Sequence, residues 1–264
     1  MDNLLEIQNL SISLRQKNSP IVKGISFSIR GGQVLGIIGE SGSGKSMTCR
    51  AIMSLLDMRR FTISGKVIFH EKNLLAMPDK DVQKLLGTRL AMIMQNPMTA
   101  FDPISKIGAQ IVETLRIHKR VSKRDAFEIG AHELMKIGFA DAYRVMNSYP
   151  HELSGGMLQR IMIALSMILS PEIIIADEAT TALDVHTQAI ILDEFLKMRN
   201  SGIALVIVTH NFGVLAKLAD NVIVIKDGEV VEEGTVYQIF DSPQHSYTKE
   251  LLNATVLRRE RIHA

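Results

Sequence analysis

The segment Gly39-Glu40-Ser41-Gly42-Ser43-Gly44-Lys45-Ser46 has the residue types and spacing of a loop that cradles phosphate. It fits G-x-x-x-x-G-K-[ST] in full, after a short apolar run and before a helical pattern. Glycines are needed because successive backbone N–H groups must turn inward around phosphate oxygens without interference from a Cβ. The helix expected to begin near Gly44 adds its positive end. In that arrangement Lys45 reaches the β- and γ-phosphates, and the Ser46 hydroxyl ligates Mg2+. A dinucleotide-binding fingerprint would need a third glycine where Met47 stands, so that alternative fails.

A second constellation lies far along the chain. Ile173-Ile174-Ile175-Ala176-Asp177-Glu178 closes an apolar run with two carboxylates, at the strand end where open parallel sheets bind ligands. Asp177 suits Mg2+ held through its water shell. Glu178 faces another way and could polarise an attacking water. Acids also favour helix starts; it is the phosphate loop that tips the balance toward chemistry. Gln95 closes the apolar run Leu90–Met94, and His210 follows Ala204–Val208 and Thr209. A solitary histidine in such a place is more often structural. Both residues gain weight from standing at a strand's C-terminal end, where a γ-phosphate would lie.

These groups require an α/β frame, and the hydropathy pattern supplies one. Leu5, Ile7, Leu10, Ile12 and Leu14 roughly alternate, as does Ile25–Ile29, which predicts strands. Val34–Ile38 is a continuous apolar run ended by Gly39, the pattern of a strand buried on both faces. Met47, Ala51, Ile52 and Leu55 mark a helix, and strands are expected at Lys66–Phe69 and Leu90–Met94. From about Asn96 to Tyr149 the texture changes to helical spacing over Ile104–His118, Lys123–Met135 and Ala140–Asn147. Asp227-Gly228 between two apolar runs signals a hairpin. Ser246–Ile262 reads as an amphipathic helix with a basic tip.

Composition sets limits on the remaining possibilities. The chain has 264 residues, a formal net charge of +2 and one cysteine, Cys49. It can bury a full core without staples. A single cysteine excludes an intramolecular disulfide and a cysteine-rich metal cluster, which suits a reducing cytosol. Near-neutral charge argues against nucleic-acid binding through a bulk basic field. No run reaches the ~18 apolar residues of a membrane span, and the N-terminus is acidic rather than a signal peptide. The eight histidines and fourteen methionines form no metal-binding spacing.

Leu153-Ser154-Gly155-Gly156-Met157-Leu158-Gln159 is where a family becomes recognisable. It resembles the LSGGQ-type signature of ATP-binding cassette (ABC) proteins. The order of phosphate loop, Gln95, signature, Asp177-Glu178, Thr181-Ala182-Leu183-Asp184 and His210 is similar to that family throughout. The resemblance implies an α/β P-loop NTPase fold of the ABC nucleotide-binding type, with a mixed sheet, an N-terminal antiparallel β subdomain and an inserted helical subdomain. Residues 1–95 and 160–240 would form the ATP-binding core, 96–159 the helical signature subdomain and 241–264 a C-terminal helical tail. It also implies ATP and Mg2+ as cofactors, with two subunits sandwiching two ATP molecules head to tail. Ser154 and Gly156 would then contact the γ-phosphate held by the opposite subunit, and Asp184 would cross the dimer interface. Glu178 would be the general base, His210 would bridge water and phosphate, and Gln95 would touch Mg2+. The implied partners are two membrane permeases, a paralogous cassette or second copy, and indirectly an extracytoplasmic binding protein. The implied place is the cytoplasmic face of the membrane, peripherally bound, with no nucleic acid involved.

Two departures from the family pattern stand out. Ala179 follows the acidic pair where proline is usual, which is expected to loosen a turn without removing a ligand. No aromatic stands near Leu14–Gln16 to stack on adenine, so weaker adenine affinity is expected. Pro243-Gln244-His245-Ser246-Tyr247-Thr248 and Leu251-Leu252 resemble the tail element of peptide and nickel importer cassettes, as does Asn96–Pro103. Leu158 in the signature and the short, cysteine-free end are more similar to the nickel type, which makes nickel or a nickel chelate the expected cargo and di- or oligopeptide the alternative. A soluble non-transport ABC ATPase is the competing class. The stretch between Lys45 and Ser154 carries no heptad array, and the chain holds one cassette, both unlike the non-transport forms.

Overall fold

Val34–Ile38, Ile173–Asp177 and Ala204–Val208 are buried at every position, and their side chains divide between two apolar layers. Val34, Ile38, Ile174, Ala176, Leu205 and Ile207 face one layer. Leu35, Ile37, Ile173, Ile175, Ala204, Val206 and Val208 face the other. A strand sandwiched in this way has no polar face, which is why its sequence does not alternate. The computed structural model describes residues 3–16, 19–180 and 184–262.

The N-terminal part holds β1 (Leu5–Leu14), β2 (Ser19–Ile29), β3 (Val34–Ile38), α1 (Lys45–Ile52), β4 (Phe61–Phe69), β5 (Lys72–Asn73), α2 (Asp79–Leu85) and β6 (Leu90–Ile93). A helical stretch follows with α3 (Ile107–His118), α4 (Lys123–Lys136), α5 (Ala142–Asn147) and α6 (Gly155–Met167). The chain then returns through β7 (Ile173–Asp177), α7 (Val185–Asn200), β8 (Ala204–Val208) and α8 (Phe212–Leu218). It ends with β9 (Asn221–Lys226), β10 (Glu229–Thr235), α9 (Val236–Asp241) and α10 (Ser246–Ile262).

The described strands make two sheets. One is antiparallel with order β2-β1-β4-β5, and the other has six strands in the order β10-β9-β3-β8-β7-β6. In the larger sheet β9, β3, β8, β7 and β6 pair in parallel, and only β10 runs antiparallel to β9. The C-terminal ends of β3, β6, β7 and β8 therefore share one edge. That edge carries Gly39, Gln95, Asp177-Glu178 and His210 within two residues of the strand ends.

Several elements differ from the sequence expectation for identifiable reasons. β4 begins at Phe61 rather than Lys66, because Gly65 (φ 99°) breaks the alternation opposite a register shift between Gln8 and Ser11 of β1. α3 begins at Ile107 rather than Ile104, since Asp102 accepts the Ile104 amide and the Ser105 hydroxyl in a local turn, leaving Ile104 84% exposed. α5 begins at Ala142 because Asp141 caps it, accepting the Arg144 amide at 2.9 Å. α6 runs through the expected boundary between 159 and 160, so the signature and the core share one helix. Ala179 is buried, and the turn after the acidic pair forms without proline. Thr181, Ala182 and Leu183 lie outside the described residues.

Candidate active site

Gly39–Gly44 links the end of β3 to the start of α1. Gly44 is the N-cap of α1 with φ 104°, and a Cβ there would come within 2.9 Å of the Ile21 carbonyl oxygen. A Cβ on Gly39 would come within 2.1 Å of the Ile225 carbonyl oxygen. Backbone therefore crowds both positions, and only glycine fits. No side chain caps the N-terminus of α1, and its first turn has no acidic residue. The amides there are left for a ligand's oxygens, which is the donor set a phosphate needs.

Lys45 folds back over this loop. Its Nζ donates to the Gly39 carbonyl at 2.8 Å, to the Glu40 carbonyl at 2.6 Å and to Ser43 Oγ at 3.4 Å. Burial lowers the Lys45 pKa, opposed by the nearby charges of Glu178 and then Asp177. The ammonium is held by carbonyls that a phosphate could replace with full negative charge. Behind it, Ser46 Oγ donates to Asp177 Oδ1 at 2.9 Å. Asp177 is 3% exposed. Burial raises its pKa, with the Ser46 hydrogen bond acting in the opposite direction. A hydroxyl beside one buried carboxylate fits Mg2+, which takes few protein oxygens and draws the rest from phosphates and water.

Glu178 occupies a left-handed backbone conformation, φ 49°, and its N–H donates to the Val208 carbonyl at 2.9 Å. This link to β8 fixes the carboxylate's direction. Gln95 Nε2 donates to Glu178 Oε2 at 2.8 Å, and His210 Nδ1 lies 3.8 Å from Glu178 Oε1. His210 is positioned by the turn it opens, where Asn211 donates its amide to Thr209 Oγ1 and its side chain accepts from Gly213 to cap α8.

The structure thus brings the phosphate loop, Gln95, Asp177, Glu178 and His210 to one place. A cavity of about 410 Å3 is lined by Ser41, Gly42, Gly44, Lys45, Ser46, Gln95, Glu178 and His210. Ser154, Gly156 and Asp184 do not line it. Ser154 caps α6, its Oγ accepting the Met157 amide at 3.3 Å, and Asp184 caps α7, accepting the Thr187 amide at 2.9 Å. Ile21 and Met47 also line the cavity. The sequence does not mark them for this role, because one apolar residue in a strand and another in a helix carry no site signal. Nor does it mark Tyr247 for its contact, in which the hydroxyl accepts the Glu40 amide at 2.9 Å. The tail motif around Tyr247 is its one mark in the sequence.

A parallel sheet with this loop at its switch edge defines a P-loop nucleotide-binding domain. A family model described as ABC transporter matches residues 22–181. The chain belongs to the ABC transporter family and has the nucleotide-binding domain fold of its ATPases. It is 42% identical over 262 residues, 98% of this chain and 78% of the relative, to the probable peptide ABC transporter ATP-binding protein y4tR of Sinorhizobium fredii. It is 39% identical over 251 residues, 95% of this chain and 92% of the relative, to the metal-staphylopine import system ATP-binding protein CntD of Staphylococcus aureus. Among solved structures, the dimeric post-hydrolysis ATP-binding cassette MJ0796 bound to ADP and Pi matches with a TM-score of 0.79 and 26% identity, covering 88% of this chain and 98% of that one.

Proposed function

We propose that this chain is the ATP-hydrolysing subunit of an ABC importer, turning ATP and water into ADP and phosphate to drive uptake through two separate membrane permeases. The observation that carries the reading is the fixed carboxylate of Glu178, held by Gln95 at 2.8 Å at the rim of a cavity that also contains Lys45 and Ser46. Glu178 takes a proton from the attacking water, whose oxygen forms the new bond to the γ-phosphorus as the bond to the β-phosphate oxygen breaks. His210 orients that water and the γ-phosphate. Lys45 and the loop amides neutralise the charge on the phosphates, and Ser46, Asp177 and Gln95 would hold Mg2+, which would supply further neutralisation of phosphate charge.

Ser154, Gly156 and Asp184 act from the opposite subunit. Their absence from this chain's own cavity supports a head-to-tail pair in which each site is completed by a partner, either a paralogous cassette or a second copy. Among the described residues no helix is long and apolar enough to cross a membrane. We place the subunit peripherally on the cytoplasmic face, held there by its permeases and served indirectly by an extracytoplasmic binding protein.

For cargo, the match to a peptide transporter's subunit over nearly the whole chain supports a di- or oligopeptide. A second reading, in which the cargo is nickel or a metal chelate, is supported by the staphylopine-system match over 95% of this chain. Uptake of labelled dipeptide and of radiolabelled nickel in a strain lacking this gene separates the two. Loss of dipeptide uptake alone is the expected outcome, and loss of nickel uptake alone would overturn it in favour of the second reading.

A further inference from the structure

The element Pro243-Gln244-His245-Ser246-Tyr247-Thr248 has no part in the chemistry above, yet it reaches the phosphate loop. Tyr247 stands in the first turn of α10 and is 2% exposed. Its hydroxyl accepts the Glu40 N–H at 2.9 Å across 207 residues of sequence. The ring is packed under Lys226 Nζ, 4.6 Å from its centroid, and Lys226 ends the strand whose Ile225 carbonyl leaves no room for a Cβ at Gly39. The turn leading into α10 is fixed as well. Glu232 of β10 accepts the amides of Gln244 and His245 at 2.7 and 3.1 Å, and His245 Nδ1 accepts the Tyr247 amide at 3.2 Å.

Glu40 therefore has both of its peptide groups anchored. Its N–H is taken by Tyr247, and its carbonyl by Lys45. The two anchors differ in one respect. Lys45 must leave the carbonyls to meet a phosphate, whereas Tyr247 lies behind the loop and has no reason to move. A further hydrogen bond to the loop comes from the β9–β10 hairpin, where the Gly228 N–H donates to the Ser43 carbonyl at 3.1 Å. With Lys45 drawn away, the Tyr247 and Gly228 contacts remain to keep the loop in its phosphate-accepting shape.

We propose that Tyr247 is a positioning residue for nucleotide binding, by which the C-terminal helix preorganises the phosphate loop through the Glu40 amide. This inference rests on the nucleotide reading of the site. A loop that holds its binding shape for only part of the time binds more weakly in proportion to that fraction. Losing one satisfied, half-buried N–H contact of this kind is expected to weaken binding about tenfold.

Tyr247→Phe tests the idea, since it keeps the ring and its packing against Lys226 and removes only the acceptor. The first measurement is hydrogen exchange at the Glu40 amide in the nucleotide-free protein, expected to speed up at least tenfold. The second is the Kd for a fluorescent ATP analogue in EDTA, expected to rise about tenfold. The third is steady-state hydrolysis, where the KM for ATP should rise similarly while kcat at saturation stays within about twofold. A purely structural role would lower the melting temperature and leave Kd and KM alone. Unchanged Kd and unchanged Glu40 exchange in Tyr247→Phe overturn the proposal. If that variant is insoluble, Glu232→Gln, which loosens the turn carrying Tyr247, serves instead, and a wild-type Kd there has the same force. A wild-type protein that fails to bind the analogue sinks the nucleotide reading itself, whereas the exchange measurement reads the anchor with no nucleotide present.

Discussion

Replacing Glu178 with glutamine separates catalysis from every other duty of the site. The change is isosteric, and the backbone stays tied to β8 because the Glu178 N–H to Val208 carbonyl bond is untouched. Glutamine keeps an oxygen that can accept from Gln95 Nε2, so the 2.8 Å contact can persist. The contact with His210 is 3.8 Å long and half in solvent, a kind of pair worth about 0–1 kcal/mol. The melting temperature should therefore move by no more than about 2–4 °C.

The electrostatic balance points in two directions. Glu178 is the strongest of the charges supporting the buried Lys45 ammonium, so its removal favours the neutral amine. It also removes a carboxylate facing the place where a γ-phosphate would lie, which favours ATP. The two effects oppose each other, and the KM for ATP should stay within about threefold. Turnover should not. Losing a positioned proton acceptor lowers a rate by about 10^2–10^4. Phosphate release from Mg-ATP measures kcat, and gel filtration with ATP measures dimer formation, which should accumulate because closure is no longer followed by hydrolysis. Turnover above about one third of wild type would refute Glu178 as the base. Loss of ATP binding would refute the claim that the loop and the carboxylate act separately.

Three other changes probe other parts of the site. Ser154→Arg should leave ATP affinity in the isolated chain within about twofold while reducing turnover at least ~100-fold, because Ser154 lies outside this chain's own cavity; equal loss of both would place the signature in cis. Gly44→Ala forces a Cβ to within 2.9 Å of the Ile21 carbonyl at φ 104°, a strain of about 1–3 kcal/mol, so binding of a fluorescent ATP analogue should fall at least fivefold, and unaltered binding would contradict the crowding. Asp177→Asn should stabilise the nucleotide-free protein at pH 7 while abolishing Mg-ATP turnover. Burial raises the pKa of Asp177, so the folded state holds that proton more tightly than the unfolded chain. The stability due to this group is present at low pH and is lost as pH rises through the folded pKa. Thermal melts should show the variant a few degrees higher at pH 7, with the gap closing below the ordinary carboxylate pKa near 3.9; a lower melting temperature at pH 7 would contradict the sign.

What could be read from sequence and what could not divides along a physical line. The phosphate loop is eight consecutive residues whose chemistry is local, and the strand ends that carry Gln95, Asp177-Glu178 and His210 follow continuous apolar runs that only a two-sided burial explains. Parallel pairing then does the rest, because strands aligned in one direction deliver their C-terminal ends to a common edge. The boundaries that moved, at Phe61, Ile107 and Ala142, were set by a glycine and two aspartate side chains acting on nearby backbone, which hydropathy periodicity does not register. The contact from Tyr247 to Glu40 is of a third kind. Its two residues share no element, no spacing rule and no charge complementarity, and the bond exists only because β9, β10 and the turn into α10 bring the C-terminal helix behind the loop. A recognisable tail motif with no chemistry of its own is what such a contact leaves in a sequence. The residues of that motif cap, turn and aim one another so that a single hydroxyl reaches a backbone amide, and their requirement is geometric. The catalytic residues can be recognised by their type, whereas Tyr247 can be recognised only by what it touches.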